Sequence, residues 1–319
     1  MRSEINEQQK PTRKVEPDNI VLNKDGTVDV KDTHALNRKA KASLIVSKTF
    51  AYLFLILLSI MCLVFFYLLL VNSTKSQTEL DGIFKPTFST HFFENLKNAL
   101  KTRDFIDVPT GLFNSFIVAT GTTILTTYFS ALTAYAIYAY RFKGRKILAV
   151  FILAIMMIPS QVSSVGFVKL AFDMNLTDRL WILIVPAIAA PSVYFYMFQY
   201  LKASLPLDLV EASRIDGSSE FMTFNRIVLP IMKPALAVQG IFTFVNSWNN
   251  YYMPGLLLHD RNKYTLPVVL GYLRSMQNSQ RDAGQVWMVI FISVFPVIVI
   301  YLLLSKSIIK GVTSGSVKG

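Results

Sequence analysis

Residues 211–230 read E-A-S-R-I-D-G-S-S-E-F-M-T-F-N-R-I-V-L-P and form a polar stretch between two long apolar segments. Two short helical patterns lie within it, separated by Gly217, and Pro230 closes it. A polar loop of this kind adds nothing to the apolar core of a membrane protein. We therefore interpret it as a docking element for a soluble partner.

The apolar segments around this loop predict a membrane protein. Six stretches contain no Asp, Glu, Lys or Arg, and each is at least 22 residues long. A helix of about 20 residues crosses a bilayer core of about 30 Å. Pro109 and Gly111 indicate a turn, so we expect the second helix to begin near Leu112. The sequence predicts an all-α protein with six transmembrane helices, at about 49–72, 112–140, 147–168, 180–201, 234–258 and 285–305.

Basic residues near the ends of the spans predict the orientation of the chain. Arg141, Lys143, Arg145 and Lys146 crowd one six-residue turn that contains no acid. Such turns face the cytoplasm. With six helices, both termini are then cytoplasmic, and the loop at 203–232 is cytoplasmic as well.

The ends of the chain differ from its apolar middle. Residues 1–32 mix acidic and basic residues with few aromatics, a composition typical of unfolded segments. We therefore predict a disordered cytoplasmic extension at 1–47. A six-helix transmembrane domain follows at 48–310, and a cytoplasmic tail covers 306–319.

The polar loop matches a known spacing pattern: E-A-A, three residues, G, nine residues, then I-x-L-P. The matching residues are Glu211, Ala212, Gly217, Ile227, Leu229 and Pro230. Ser213 replaces the third small residue of the pattern. The chain thus resembles the permeases of ABC importers, in which this pattern marks the cytoplasmic coupling loop.

Three further stretches narrow the resemblance to the carbohydrate group, a MalG-like and binding-protein-dependent family. They are I-P-S-Q-V at 158–162, F-V-N-S-W-N-N at 244–250 and G-V-T-S-G-S-V-K-G at 311–319. The likeness covers residues from about 45 to 319. It implies the six-helix, type I importer permease architecture and a multi-pass protein of the bacterial cell membrane.

The resemblance also implies partners and contact residues. The partners are a sister permease subunit, two cytoplasmic ATPase subunits, an extracytoplasmic solute-binding protein, a sugar substrate and the lipid bilayer. In the tail, Lys318 and Gly319 would form a second contact with the ATPases. The residues expected to couple the chain to the ATPases are Leu209, Glu211, Ala212, Ser213, Arg214, Asp216, Gly217 and Pro230.

The loop sequence predicts its own local structure. Pro206 suits the first turn of a helix, where its missing N–H costs nothing. Gly217 suits the left-handed conformation that ends this helix. Ser218 is expected to cap the next helix, and Pro230 to end it.

Polar side chains in the fifth apolar stretch allow two interpretations. Asn246, Asn249 and Asn250 need hydrogen-bond partners in an apolar setting. Together with Trp248 and Tyr251 they could line a sugar path, because sugars present hydroxyl groups and apolar ring faces. Hydrogen bonds between neighbouring helices would satisfy the same amides.

Several patterns are absent. The chain lacks the phosphate-binding pattern GxxxxGK[ST], so we expect no cofactor here and assign ATP and Mg²⁺ to the partner ATPases. We predict no catalytic residue, metal cluster or nucleic-acid module. The predicted spans hold no charged residue for ion coupling. A permease of the same family for a non-sugar solute, or an ATP-independent channel or carrier, remains as an alternative.

Overall fold

Helices form all the regular structure in the residues that this computed structural model describes, which are 30–83, 85–101, 107–276 and 282–316. The longer helices are α1 Val30–Ser73, α3 Phe92–Leu100, α4 Val108–Ala139, α5 Arg145–Met156, α6 Ser160–Asp173, α8 Pro191–Ser204, α9 Leu207–Ile215, α12 Lys233–Trp248, α14 Leu266–Ser275 and α15 Ala283–Ser316. The short ones are α2 Gln77–Asp81, α7 Trp181–Ile184, α10 Glu220–Thr223, α11 Leu229–Ile231 and α13 Tyr252–Leu257. Two 3₁₀ turns, Val185–Ile188 and Arg261–Lys263, and a π-helical segment, Phe224–Val228, complete the set.

The chain divides into two compact units, the first ending at Tyr67. The described part of the first unit is the beginning of α1, and all its described side chains, from residue 41 onward, are exposed. Residues 41–73 are long and apolar enough to cross a membrane. From residue 41 to Tyr67 this helix buries none of its side chains, whereas Val71 and Ser73 near its end are fully buried.

The predicted disorder of the extension at 1–47 is wrong for residues 30–47, which are helical. Ala, Leu, Lys and Arg in this stretch favour helix, and extending an existing helix avoids the cost of nucleation. Residues 1–29 of the extension lie outside the described part of the chain.

Helix α4 is the centre of the second unit and packs against α8, α12 and α14. It begins at Val108, four residues before the predicted start at Leu112. The Asp107 side chain accepts a hydrogen bond from the Thr110 N–H at 2.9 Å and caps the helix. Pro109 fits the first turn because its missing N–H would have no partner there.

Two buried apolar clusters lie along α4. The first includes Val108, Ala119, Phe244, Trp248, Leu266 and Met288. The second includes Ala131, Tyr135, Met197, Leu201, Phe224 and Met232. A single helix therefore contributes side chains to both of these clusters.

Three of the predicted spans are broken rather than straight. Helices α5 and α6, which occupy the predicted span 147–168, meet at 94°. Alone, the 12 residues of α5 cover roughly 18 Å, too little to cross a bilayer. Pro159 caps α6 and cannot continue α5, because it lacks an N–H and restricts the residue before it.

Two further bends separate helical segments. The segments at 181–188 and 191–204 are bent by 40° at Pro191, the first residue of α8. The segments at 220–231 and 233–248 are bent by 79°. The predicted fifth span, 234–258, also ends early, because α12 stops at Trp248 and α13 is a separate short helix. Three helices of the described chain qualify as spans, or up to six if each bent pair is one span.

Candidate functional site

The polar loop consists of α9 and a second helical segment that starts at Glu220. Pro206 precedes α9 as its N-cap, and Gly217 follows it with φ of +78°. The Gly217 N–H donates to the Arg214 carbonyl at 3.1 Å, and the Ser218 N–H donates to the Ser213 carbonyl at 3.0 Å. The predicted left-handed ending at Gly217 is confirmed.

The second helix of the loop differs from its prediction at both ends. Ser219, not Ser218, is its N-cap and accepts a hydrogen bond from the Met222 N–H at 3.3 Å. The Ser218 hydroxyl instead accepts from the Thr223 hydroxyl at 3.1 Å. Because both serines can act as an N-cap, the sequence alone does not show which of them caps the helix.

Pro230 does not end the second helix, because helical structure continues through Ile231. The preceding turn is π-helical from Phe224 to Val228. A proline lacks the N–H for the normal bond and crowds the carbonyl four residues before it. A wider π turn is one way in which a helix accommodates such a disruption.

Helix α9 is held in place through Val210 and Ser213, which are 1% and 5% exposed. The Ser213 hydroxyl donates to the Val210 carbonyl at 2.8 Å and lies 3.1 Å from the Thr223 hydroxyl oxygen. Ser213 therefore joins the two helices of the loop. Ser213 is therefore not part of the exposed side of α9, and its coupling role stays a prediction.

The outer side of α9 is an exposed surface of mixed character, which we call the docking surface. Its residues are Asp208, Leu209, Glu211, Ala212, Ile215 and Asp216. Leu209 is 46% and Ile215 87% exposed. Within the described chain, the carboxylates of Asp208, Glu211 and Asp216 form no ion pair. Sequence reasoning missed Ile215, although it follows Leu209 and Ala212 at three-residue spacing.

Arg214 contacts the chain itself rather than facing outward. Its Nε donates to Glu220 Oε1 at 2.7 Å, and its guanidinium lies 5.2 Å from the centre of the Tyr140 ring. The Tyr140 hydroxyl donates to Glu220 Oε2, and the Tyr135 hydroxyl lies 3.4 Å from the same oxygen. We call these four residues, Tyr135, Tyr140, Arg214 and Glu220, the clamp.

The clamp sets the ionisation of Glu220, which lies outside the predicted spans. Partial burial acts to raise the pKa of this carboxyl group. Hydrogen bonds from Arg214 and Tyr140, together with the positive charge of Arg214, outweigh that effect and lower the pKa below its usual range. Glu220 is therefore a carboxylate at neutral pH. Beside the clamp lies an open pocket of about 460 Å³, lined further by Leu132, Ala136, Arg141, Phe142 and Phe221.

The predicted substrate residues separate into two groups. Trp248 is 3% exposed, stacks on Phe244 and donates its Nε1–H to the Ser293 carbonyl at 3.0 Å. It is a core residue, and the prediction that it lines a path does not fit. Asn250 accepts a hydrogen bond from the Met253 N–H at 3.3 Å and so helps to start α13.

The remaining three residues, Asn246, Asn249 and Tyr251, are exposed. No described residue forms a hydrogen bond with the side-chain amide of Asn246 or Asn249. The ring of Tyr251 lies directly against Gly271, where a Cβ would come within 2.7 Å of it.

Two neighbours that sequence reasoning did not select are Tyr252 and Ser164, whose hydroxyl oxygens are 3.5 Å apart. We call Ser164, Asn246, Asn249, Tyr251 and Tyr252 the polar surface. It combines the exposed amides of Asn246 and Asn249 with the exposed rings of Tyr251 and Tyr252, while the Ser164 hydroxyl donates to the Gln161 carbonyl at 2.7 Å. No spacing in the sequence links Ser164 to the others, because it comes from a different helix.

Two predicted residues of the tail, Lys318 and Gly319, lie outside the described residues. Helix α15 extends through Ser316. Pro230, which the sequence predicts among the ATPase-coupling residues, lies exposed in α11.

A solved structure of a bacterial ABC transporter involved in the import of the acidic polysaccharide alginate shares the fold of this chain. The likeness covers 82% of this chain and 97% of that chain, with a TM-score of 0.70 at 21% sequence identity. The predicted all-α, type I importer permease architecture is thereby confirmed. The sidedness of the termini stays a prediction.

The family follows from the sequence comparisons. A family model described as "binding-protein-dependent transport system inner membrane component" matches residues 124–308, more than half of the chain. This chain therefore belongs to that family and is a membrane-embedded permease.

Named relatives are similar over most of their length. The arabinooligosaccharides transport system permease protein AraQ of Bacillus subtilis is 39% identical over 210 residues, which are 65% of this chain and 73% of AraQ. The trehalose/maltose transport system permease protein MalG of Thermococcus litoralis is 31% identical, over 83% of this chain and 94% of MalG. The maltodextrin transport system permease protein MdxG of Bacillus subtilis is 29% identical, over 88% of this chain and 99% of MdxG.

Proposed function

We propose that this chain is the permease subunit of an ATP-driven, binding-protein-dependent oligosaccharide importer of the bacterial cell membrane. It would work with a sister permease, two cytoplasmic ATPase subunits and an extracytoplasmic solute-binding protein. ATP would bind and be hydrolysed on the ATPases. Their closure would move the loop at 203–232 and switch the pathway between its inward-open and outward-open states.

The docking surface carries this proposal. Among the described residues, the carboxylates of Asp208, Glu211 and Asp216 form no ion pair, and they lie with three exposed apolar side chains on the nine-residue helix α9 and its C-cap. So short a helix is only marginally stable in water on its own, and here Val210 and Ser213 hold it in place. The outer side stays free for a partner with an apolar groove and basic residues. Such charge complementarity would favour both rapid association and a fixed orientation.

The sugar substrate rests on two kinds of support. AraQ, MalG and MdxG are named for transport of arabinooligosaccharides, trehalose or maltose, and maltodextrin. In this chain, the polar surface presents the amides of Asn246 and Asn249 and the rings of Tyr251 and Tyr252. Amides can bond sugar hydroxyl groups, and aromatic rings can cover apolar sugar faces, so this surface suits a carbohydrate.

The test is charge reversal at the docking surface. Glu211→Lys replaces an exposed acid by a base, so insertion of the chain into the membrane should not change. Reversing one charge of an interface pair costs several kcal/mol. We expect co-purification of the ATPases with the complex to fall at least about tenfold. Hydrolysis stimulated by the loaded binding protein should fall with it.

The matched control is Glu94→Lys. Glu94 is also an exposed helical glutamate, with 66% of its side chain accessible, but it lies on α3, away from the loop. Its reversal should leave co-purification of the ATPases unchanged. Wild-type co-purification and wild-type stimulated hydrolysis in Glu211→Lys would refute the proposed role of the loop.

A further inference from the structure

The docking surface lies on the exposed side of α9, so its motion needs a route into the bundle. Within the loop, the first link joins α9 to α10 through the hydroxyl groups of Ser213 and Thr223, 3.1 Å apart. The second link is the ion pair between Arg214 on α9 and Glu220 on α10. The two helices of the loop are thus fastened to each other by two side-chain contacts.

The second helical segment is fastened in turn to the end of α4. Glu220 accepts from the Tyr140 hydroxyl, and the buried Phe224 stacks on Tyr135 with ring centres 5.7 Å apart. Phe224 and Tyr128 also form an edge-to-face pair with ring centres 5.6 Å apart. Tyr128 and Tyr135 belong to α4, and Tyr140 is its C-cap.

Helix α4 is equally well fixed at its other end. The Asn114 side chain donates to the carbonyls of Asn262 and Tyr264, at 3.0 and 2.9 Å. The Ser115 hydroxyl accepts from the Leu266 N–H at 2.8 Å. Because α4 is a continuous helix of 32 residues, a displacement at its clamp end reaches these contacts without a break.

Glu220 is the common point of this arrangement. A single carboxylate accepts from a residue of α9 and from the end of α4, so it joins the helix that carries the docking surface to the helix at the centre of the core. Charge-assisted hydrogen bonds of this kind are short and directional. A passive surface charge on the loop would not need three donors from two other elements.

We propose that Glu220 and Tyr140 are positioning residues that transmit displacement of the docking loop to α4. This inference rests on the proposed function, because it specifies how the loop acts on the bundle. Neither residue belongs to the docking surface. Arg214, which the sequence assigned to the partner, acts here as the internal link from α9.

The test uses the complete importer with Tyr140→Phe and Glu220→Gln. Phenylalanine keeps the ring beneath Arg214 and removes only the hydroxyl donor, while glutamine keeps the shape of Glu220 and removes its charge. We expect ATPase co-purification and basal hydrolysis to stay at the wild-type level. Uptake per ATP hydrolysed should fall at least about fivefold, as expected from losing one charge-assisted hydrogen bond.

Two further variants separate transmission from simple folding. Tyr196→Phe removes the hydroxyl group of another half-buried tyrosine in the same core and should leave uptake per ATP unchanged. Combining Tyr140→Phe with Glu220→Gln should cost less than the sum of the two single changes, because both weaken the contact between Tyr140 and Glu220.

The outcomes are distinguishable from failure of the proposed function. If Glu211→Lys is inactive but Tyr140→Phe and Glu220→Gln keep wild-type uptake per ATP, the transmission role is overturned and the docking role stands. Loss of ATPase co-purification in Tyr140→Phe would also overturn it, because the residue would then support docking. If Glu211→Lys is fully active, the proposed function itself is contradicted.

Discussion

Trp248 and Tyr251 are three residues apart, yet 3% of the first and 57% of the second is exposed. The sequence offers both as candidates for a sugar path, because an indole and a phenol can each cover an apolar sugar face. The structure separates them: α12 ends at Trp248, so the chain turns before Tyr251. The sequence alone does not predict that turn. It also does not predict the hydrogen-bond partner of the indole, because the Ser293 carbonyl is 45 residues away along the chain.

Substituting Trp248 should affect stability, whereas substituting Tyr251 should affect sugar uptake. Trp248→Phe keeps an aromatic ring but leaves the Ser293 carbonyl without its donor. We expect the free energy of unfolding to fall by about 1 kcal/mol with no change in the apparent KM for sugar uptake. Tyr251→Ala should leave stability unchanged and raise that KM. Thermal unfolding of the purified complex and uptake of labelled sugar measure the two effects.

The opposite pattern would contradict this assignment. A raised KM in Trp248→Phe, at unchanged stability, would show that the Trp248 indole lines the sugar path. An unchanged KM in Tyr251→Ala would show that the polar surface does not line the sugar path.

At the scale of helices, the sequence predicts a helix end most reliably where only one residue type fits the required backbone conformation. Gly217 was assigned a left-handed ending because glycine alone adopts it freely, and φ of +78° agrees. Pro230 was misread as a terminator because a wider π turn accommodates it. Ser218 and Ser219 are chemically equal as caps, so their order could not decide which one caps.

Substituting Gly217 tests whether its conformation holds the loop in shape. An L-residue in the left-handed region costs about 1–2 kcal/mol. A Cβ at Gly217 would meet nothing within 4 Å, so Gly217→Ala adds this backbone cost without a clash. We expect amide hydrogen exchange at 213–224 to accelerate about 5- to 30-fold.

Gly166→Ala is the matched control, because Gly166 also has open space around its Cβ position but a helical backbone without positive φ. Alanine favours a helix, so this change should be neutral or slightly stabilising. Equal exchange at 213–224 in Gly217→Ala and the wild-type chain would show that the turn does not depend on glycine.

At the scale of the whole molecule, composition predicted the fold class better than the path of the chain. Six charge-free stretches indicate six apolar elements, and the confirmed permease architecture agrees with them. A charge-free stretch does not show whether its helix is straight or bent, however. The sequence therefore does not predict the 94° bend between α5 and α6. The clamp was missed for a related reason: Tyr140 and Glu220 are 80 residues apart, and the sequence does not pair them.

The sidedness of the loop and the identity of its partner can be tested together by cross-linking at Ala212. Cys62, the one cysteine in the sequence, is replaced by serine, and Ala212→Cys then carries the single thiol. A bifunctional reagent in intact cells should capture an ATPase subunit from Ala212→Cys. Phe93→Cys, at an exposed position of α3, should capture none. An Ala212→Cys thiol that reacts only with reagents added outside the cell, or that captures no ATPase, would contradict the account.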